Sequence, residues 1–359
     1  MKKAIIIMIV VLAGIHTSAQ ILTGIVYDKA TKLPVPGVYV YLNGTSFTDA
    51  TTNSGRYTLS VKQAINTRLV FSHLAYETII IEDPFMKLPD TIYIEERLNL
   101  LSEVTVQSDP FSRKQKMKAF REQFLGQTPA GKSCKILNED DIHVCFNIAL
   151  KTLSASSDQP IEIINEYLGY RITFMLADFS AEYLNVTLNP NRIWKAYYLG
   201  TSSYEDLAPD DKKITRRRDN TYEVSSQNFF KNLAYDPLFD VDSLKKHTFR
   251  IYNRYDRETS VSSVFLIKDT LSLKIIHIAG DNENTNPDNP LLWITVSNRN
   301  SEYPASLFYS RISFFTDALL VDKYGNIDQI DKVVFSGQMG FSRAGDMLPL
   351  NYEPGNLKF

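Results

Sequence analysis

Cysteine and tryptophan are scarce in this sequence, with two residues of each among 359. Two cysteines are too few for a disulfide-rich scaffold, in which bridges replace a large hydrophobic core. The 15 glycines and 15 prolines are spread along the chain, which excludes collagen-like and low-complexity polymers. The formal net charge of −2 provides no general attraction to nucleic acid, so no nucleic-acid partner is expected.

Apolar residues are plentiful. They make up 44% of the chain, which includes 20 tyrosines and 20 phenylalanines, while charged residues account for 22%. This composition is typical of a globular protein with one or more buried cores. At roughly 150 residues per domain, the length predicts about two domains.

The N-terminus has the pattern of a secretory signal peptide over residues 1–19. Lys2 and Lys3 precede eleven apolar residues at 4–14, and small residues at 17–19 suit cleavage. Eleven apolar residues are too few to cross a bilayer core of about 30 Å, which takes about 20. We therefore expect an exported protein, in the periplasm or at the outer membrane or cell surface, without a transmembrane helix.

From Ile21 to about Gln107, apolar and polar residues alternate in short runs that are separated by turn signals. In one such run Tyr57, Leu59 and Val61 share a face. Further strands are predicted at residues 21–27, 38–42, 69–72, 78–81, 91–94 and 104–106. Several short strands without a helical period predict a small antiparallel β-sandwich over residues 20–107.

Four segments of this region carry a family resemblance. They are TGIV at 23–26, PVPGV at 34–38, TTNSGRY at 51–57 and LSEVTV at 101–106. In this order they resemble the carboxypeptidase-like regulatory domain of Bacteroidetes envelope proteins. Gly37 and Gly55 support the resemblance, because both lie in turns that suit a residue with positive φ.

The resemblance implies a transthyretin-like sandwich without peptidase chemistry, despite the family's name. In that family the sandwich stands ahead of other modules, often ahead of the plug of a TonB-dependent outer-membrane receptor.

After Pro110 the period changes to that of a helix. Met117, Phe120 and Phe124 share one face within residues 112–125, whose other face carries lysine and arginine. We predict a linker with an amphipathic helix over residues 108–125, and we interpret its basic face as a solvated surface.

Residues 126–359 form the second predicted domain. The segments 124–138, 153–155, 160–165, 168–172, 225–230 and 346–354 resemble a module that often follows the regulatory domain in secreted Bacteroidetes proteins. That module has no established activity, so the resemblance implies kinship and location only.

The second domain is predicted to be mixed but mainly β. A helical stretch is expected over residues 210–233, broken near Ser225, which is a good N-cap. Strands are predicted at residues 142–149, 151–156, 170–179, 193–199, 261–267, 271–278, 291–297 and 307–315.

Residues 126–133 match the P-loop pattern G-x-x-x-x-G-K-S. A P-loop leaves a buried strand and enters a helix, whereas here the predicted amphipathic helix precedes the match. We therefore predict a helix that ends at Gly126 and is followed by a loop, without a bound nucleotide.

Residue patterns for catalysis or metal binding are missing. No Gly-x-Ser-x-Gly elbow and no His-Glu-x-x-His motif occurs, and the histidines stand alone in the sequence. The acidic run at 281–289 lacks the glycine and the final glutamate of an EF-hand. No catalytic residue, metal ligand or cofactor is assigned.

Cys134 and Cys145 leave two alternatives open. In an oxidising compartment a disulfide between them would contribute about 2–3 kcal/mol. In the other alternative, Cys145 is a free and buried residue of the strand at 142–149. Alternation places it with His143, opposite the apolar face of that strand, which argues against its burial.

These observations predict an exported binding or docking protein of the cell envelope that is not an enzyme. The expected partner is an outer-membrane or other envelope protein, or a glycan. An envelope hydrolase acting on glycan or peptide through the second domain is the alternative, and it requires perturbed carboxylates in a pocket or a serine–histidine contact. A structural spacer is the third, and it would scatter its exposed apolar residues.

Overall fold

The structure is a computed structural model that describes residues 20–62, 64–97, 110–236, 249–253, 255, 257–270, 273–279, 289–298 and 309–355. It is mainly β, which confirms the predicted fold class. The predicted signal peptide, the predicted strand at 104–106 and most of the acidic run at 281–289 lie outside the described residues. No helix in the described part of the chain is long and apolar enough to span a membrane.

The strands are, in chain order, β1 (Gln20–Asp28), β2 (Tyr39–Leu42), β3 (Thr48–Ala50), β4 (Arg56–Val61), β5 (Leu69–His73), β6 (Tyr76–Ile81), β7 (Thr91–Ile94), β8 (Cys134–Ile136), β9 (Ile142–Asn147), β10 (Thr152–Ser157), β11 (Ile161–Asn165), β12 (Tyr170–Tyr183), β13 (Ile193–Asp206), β14 (Phe249–Tyr252), β15 (Phe265–Asp269), β16 (Lys274–Ile278), β17 (Leu292–Asn298), β18 (Tyr309–Phe314), β19 (Ala318–Val321) and β20 (Val333–Gly337). The α-helices are α1 (Arg113–Phe124), α2 (Pro129–Ser133), α3 (Lys212–Glu223), α4 (Ser226–Tyr235) and α5 (Val261–Val264). Short 3-10 turns lie at Glu139–Asp141, Pro190–Arg192, Ile330–Lys332, Met339–Phe341 and Ala344–Asp346.

The described residues fall into two compact units. The first takes in the described chain up to Tyr41, with Phe47–Ala64 and Arg68–Arg97. The second takes in the remainder, including the short segments Leu42–Ser46 and Ile65–Thr67.

The first unit is a β-sandwich. One sheet has the order β4-β1-β7 and the other the order β3-β2-β5-β6. The predicted face of β4 is confirmed, since Tyr57, Leu59 and Val61 are all buried. Gly37 and Gly55 have a φ of 72°, as their turns predicted. One pairing differs from the antiparallel prediction: β1 and β7 run parallel, because the chain reaches β7 from the other sheet instead of through a hairpin.

The largest sheet of the second unit is built around the long hairpin of β12 and β13. Five strands are hydrogen-bonded neighbours in the order β8-β11-β12-β10-β9, and the sixth strand, β13, also pairs with β12. Helix α1 packs on this sheet with Met117, Phe120 and Phe124, the three residues of the predicted apolar face. The ring of Phe120 meets that of Phe179 edge to face, with centroids 4.8 Å apart.

A second core lies between α4 and two smaller sheets of the same unit. The sheets have the orders β14-β17-β18-β20 and β15-β16-β19. Phe229, Phe230 and Leu233 of α4 are buried in this core. The predicted helical break is confirmed, because Ser225 separates α3 from α4 and its hydroxyl accepts the N–H of Asn228 at 3.1 Å.

The strand predicted at 261–267 is wrong in its first half. Val261–Val264 forms the single turn α5, and only the residues from Phe265 onward are extended. Ser263 donates its hydroxyl to the carbonyl of Ser260 at 2.7 Å, a local side-chain bond that competes with strand pairing.

Candidate binding surface

Two turns lie side by side at one end of the large sheet of the second unit. One turn joins β9 to β10, and the other joins β12 to β13. Because Thr152 of β10 pairs with Glu182 of β12, both turns leave the sheet at the same end. We use the name tip surface for eight exposed residues of these turns and of the start of β13: Ile148, Leu150, Lys151, Leu184, Val186, Arg192, Trp194 and Lys195.

The first turn forms because of local hydrogen bonds. Asn147 ends β9, and its side-chain oxygen accepts the N–H of Leu150 at 3.0 Å. The N–H of Lys151 reaches the carbonyl of Ile148 at 3.3 Å. Lys151 has a φ of 55°, a left-handed conformation that costs a residue with a side chain about 1 kcal/mol.

The second turn is a longer loop with its own hydrogen bonds. At its base the N–H of Leu184 donates to the carbonyl of Arg192 at 2.8 Å. Inside it, Asn189 caps the 3-10 turn Pro190–Arg192 by accepting the N–H of Asn191 at 2.9 Å. Such bonds satisfy backbone groups that would otherwise need water.

Two hydrogen bonds join the turns to each other. The N–H of Tyr183 donates to the carbonyl of Lys151 at 2.9 Å. The ammonium of Lys151 donates to the carbonyl of Leu184 at 3.3 Å. The two turns therefore form one surface with a fixed arrangement.

The tip surface exposes large apolar side chains together. Trp194 is 74% exposed and Leu150 is 70% exposed, and Ile148, Leu184 and Val186 are exposed as well. Single exposed apolar residues are ordinary, but a cluster of them marks an interaction site in soluble proteins. This surface was not predicted from the sequence, because Ile148 was assigned to a strand and no functional residue was placed in the loop at 184–192.

The charge of the tip surface is positive. Lys151, Arg192 and Lys195 are exposed, whereas residues 147–152 and 183–199 contain no aspartate or glutamate. Glu182 and Glu122 lie near the surface, and each has a lysine neighbour. Glu182 is the cross-strand neighbour of Lys195, and Glu122 lies 3.8 Å from the ammonium of Lys118.

The cysteines do not form the disulfide that the sequence left open, because both thiols are free. Cys134 pairs with a residue of β11 opposite Tyr170, and Cys145 pairs with a residue of β10 opposite Ser180. Those two positions on β12 are ten residues apart, about 30 Å along an extended strand, whereas a disulfide needs Cα atoms within about 7 Å. Cys145 is exposed, in agreement with the alternation of its strand.

The segment that matches the P-loop pattern, residues 126–133, directly precedes Cys134, and the structure explains its glycines. Helix α1 ends before Gly126, whose φ is 93°, as predicted for a helix C-terminus. The short helix α2 follows where a loop was predicted, with Thr128 as its N-cap. Gly131 packs against this corner, because a Cβ there would lie 2.7 Å from the carbonyl oxygen of Gly126.

Several buried carboxylates of the second unit have perturbed pKa values. Burial raises the pKa of Asp322 and of Asp346. Asp322 accepts the N–H of Tyr324 at 2.8 Å and the N–H and side-chain amide of Asn326 at 3.0 and 2.9 Å. Asp346 accepts from the hydroxyl of Thr128 and from the N–H of Arg343. These bonds hold turns in place, which is a structural role.

A serine and a histidine lie opposite each other on β9 and β10. His143 lies opposite Ser156 in the register, and both residues are exposed. No hydrogen bond links their side chains, and the described residues contain no group of three or more His, Cys, Asp or Glu that could hold a metal ion. His73 accepts the N–H of Ala75 at 3.2 Å, and His247 lies outside the described residues.

The fold of the first unit and its sequence indicate the same class of protein domain. Two facing sheets of short strands define a β-sandwich domain, and residues 22–106 match the family model of the CarboxypepD_reg-like domain. This part of the chain therefore has both the fold and the sequence pattern of a CarboxypepD_reg-like domain. No curated protein matches the chain.

Proposed function

We propose that this chain is an exported, non-catalytic binding protein of the cell envelope, and that the tip surface contacts its partner. The observation that carries the proposal is the exposure of five apolar side chains on two turns and the adjoining start of β13, in a region where hydrogen bonds hold the turns together. A structural spacer gains nothing from such a cluster, which is an aggregation hazard unless a partner covers it.

The sequence supports the envelope part of the proposal. Residues 1–19 have the pattern of a secretory signal peptide, and residues 22–106 match the CarboxypepD_reg-like domain. The resemblance of this region to the regulatory domain of Bacteroidetes envelope proteins implies a place near outer-membrane receptors. An outer-membrane or other envelope component is the partner class that follows. In this proposal the second unit supplies the contact.

Site-specific photo-crosslinking in the native host tests the proposal. A photoreactive amino acid replaces Leu150 of the tip surface in one strain and Leu74 in a control strain. Leu74 is 65% exposed and lies on the first unit, so the two positions match in residue type and exposure. After illumination, adducts of protein and of lipid are identified by mass spectrometry.

We expect a reproducible adduct at position 150 and none at position 74. The same low background at both positions, in a chain that is folded and exported, would overturn the proposal and favour the spacer.

A further inference from the structure

We propose that the tip surface docks on a lipid bilayer that carries anionic headgroups. This inference rests on the proposed function, because it identifies the partner of the same surface. It is carried by the chemistry, arrangement and charge of the turn residues.

The chemistry of the exposed side chains suits the boundary between water and lipid. Tryptophan is enriched at that boundary, where its ring lies among the headgroups and its N–H remains hydrogen-bonded. Trp194 is the most exposed apolar residue of the tip surface, and Leu150 and Leu184 are exposed aliphatic residues of the same surface. A shallow insertion removes these apolar groups from water without any transmembrane segment.

The arrangement of the side chains favours a bilayer over a folded partner. Proteins that bind peptides through sheets offer an edge strand or a groove. Here Ile148 and Leu150 come from one turn, and Leu184 and Val186 come from the neighbouring loop, so the apolar groups project from the end of the sheet.

The backbone of the tip can enter a region of low polarity at small cost. The N–H groups of Leu150, Leu184 and Asn191 all donate within or between the turns. Where the surface reaches the hydrocarbon region an unsatisfied N–H is expensive, and a preformed turn avoids both that cost and the cost of ordering a loop.

The charge of the surface selects the type of lipid. Lys151 and Arg192 have no carboxylate neighbour in the two turns, and Lys195 faces Glu182. Cations next to an exposed tryptophan are drawn to anionic headgroups, and the attraction weakens as salt screens it. A chain whose net charge is −2 concentrates positive charge at this end of one sheet.

Vesicle sedimentation tests the inference with the chain from Gln20 onward, which contains every described residue and lacks the apolar segment at 4–14. Vesicles of phosphatidylcholine alone are compared with vesicles that also contain phosphatidylglycerol, each at low and high sodium chloride. We expect binding to the anionic vesicles only, reduced by salt.

Variants show whether the tip surface is responsible. Leu150→Asp and Trp194→Ala should each weaken binding about tenfold, and Lys151→Glu should weaken it and reduce its salt dependence. Leu74→Asp, at the matched exposed leucine, should bind like the parent chain. Unchanged circular dichroism and melting temperature show that each variant is folded.

The outcomes separate this inference from the proposed function. If neither vesicle type binds, or if Leu150→Asp binds anionic vesicles as well as the parent chain does, the lipid inference is overturned. A protein adduct at position 150 in the crosslinking experiment would then leave the proposed function standing, whereas the absence of any adduct would overturn both.

Discussion

Arg218 and Asp206 form a two-bond ion pair in the second unit, with Nη1 2.8 Å from Oδ2 and Nη2 2.7 Å from Oδ1. The guanidinium also lies over the ring of Tyr170, 4.0 Å from its centroid, and Nε donates to the carbonyl of Leu168 at 2.7 Å. The pair therefore joins α3 to the end of β13 and to the turn before β12.

The ion pair predicts a pH dependence of stability. Burial works to raise the pKa of Asp206, but hydrogen bonds from Arg218 and from the N–H of Ala208 outweigh it and hold that pKa below its ordinary value. Since the unfolded pKa is about 3.9, the stabilisation is complete above that pH and is lost as the pH falls through the lower, folded pKa. In urea unfolding, Asp206→Asn should lower the midpoint at neutral pH, and the difference should shrink below about pH 4.

A matched control is available one residue away. Glu205 pairs with Arg171 at 3.1 Å on the exposed side of the same strands, and Glu205→Gln should cost less than about 1 kcal/mol. A difference between parent and Asp206→Asn that is the same at every pH would contradict the assignment.

Substitutions at Gly131 and Lys132 distinguish two explanations of the P-loop match, close packing of the backbone and binding of a phosphate. A Cβ at position 131 would lie 2.7 Å from the carbonyl oxygen of Gly126, and even closer to that of Leu125. Gly131→Ala should therefore destabilise the protein by about 1–3 kcal/mol, whereas exposed Lys132→Ala should change stability by no more than about 0.5 kcal/mol. Thermal unfolding with and without ATP measures both effects. Stabilisation by ATP that Lys132→Ala abolishes would restore the P-loop interpretation.

Two neighbouring tyrosines should respond oppositely to loss of the hydroxyl. Tyr352 donates to Oδ1 of buried Asp219 at 2.7 Å. Within the described part of the chain, the buried hydroxyl of Tyr222 has no hydrogen-bond partner. Tyr352→Phe should cost about 1–3 kcal/mol, because it removes a donor from a buried carboxylate, while Tyr222→Phe should be neutral or stabilising. Denaturant unfolding of both variants is the measurement, and equal losses would contradict it.

The thiols should differ in reactivity. Burial, together with the nearby carboxylate of Asp346, raises the pKa of Cys134 to about 12, while Cys145 is exposed. A thiol reagent should modify Cys145 in the native protein and reach Cys134 only after unfolding, because the thiolate is the reactive form. Intact-mass spectrometry follows the labelling. Two unreactive thiols whose labelling requires a reductant would instead indicate a disulfide.

Much of the local structure follows from the order of residues alone. The faces of β4 and α1 were predictable because each side chain's burial depends on a short period, two in a strand and about 3.6 in a helix. The break at Ser225 was predictable because an N-cap acts within its own turn. The strand predicted at 261–267 was less accurate. Its alternating pattern indicated an extended chain, but the hydroxyl of Ser263 bonds to the carbonyl of Ser260 and stabilises a helical turn there.

The tip surface and the state of the cysteines depended on pairings between distant segments. Leu150 and Trp194 come together only because β10 and β13 both flank β12, and no local period carries that information. Cys134 and Cys145 are close in sequence, but their strands pair with β11 and β10, which lie against different halves of β12 and keep the thiols apart. The sequence by itself determined the elements and their buried faces, since those depend on neighbours a few residues away. Only the tertiary structure decided which turns meet, because register and strand order are set by contacts across the whole chain.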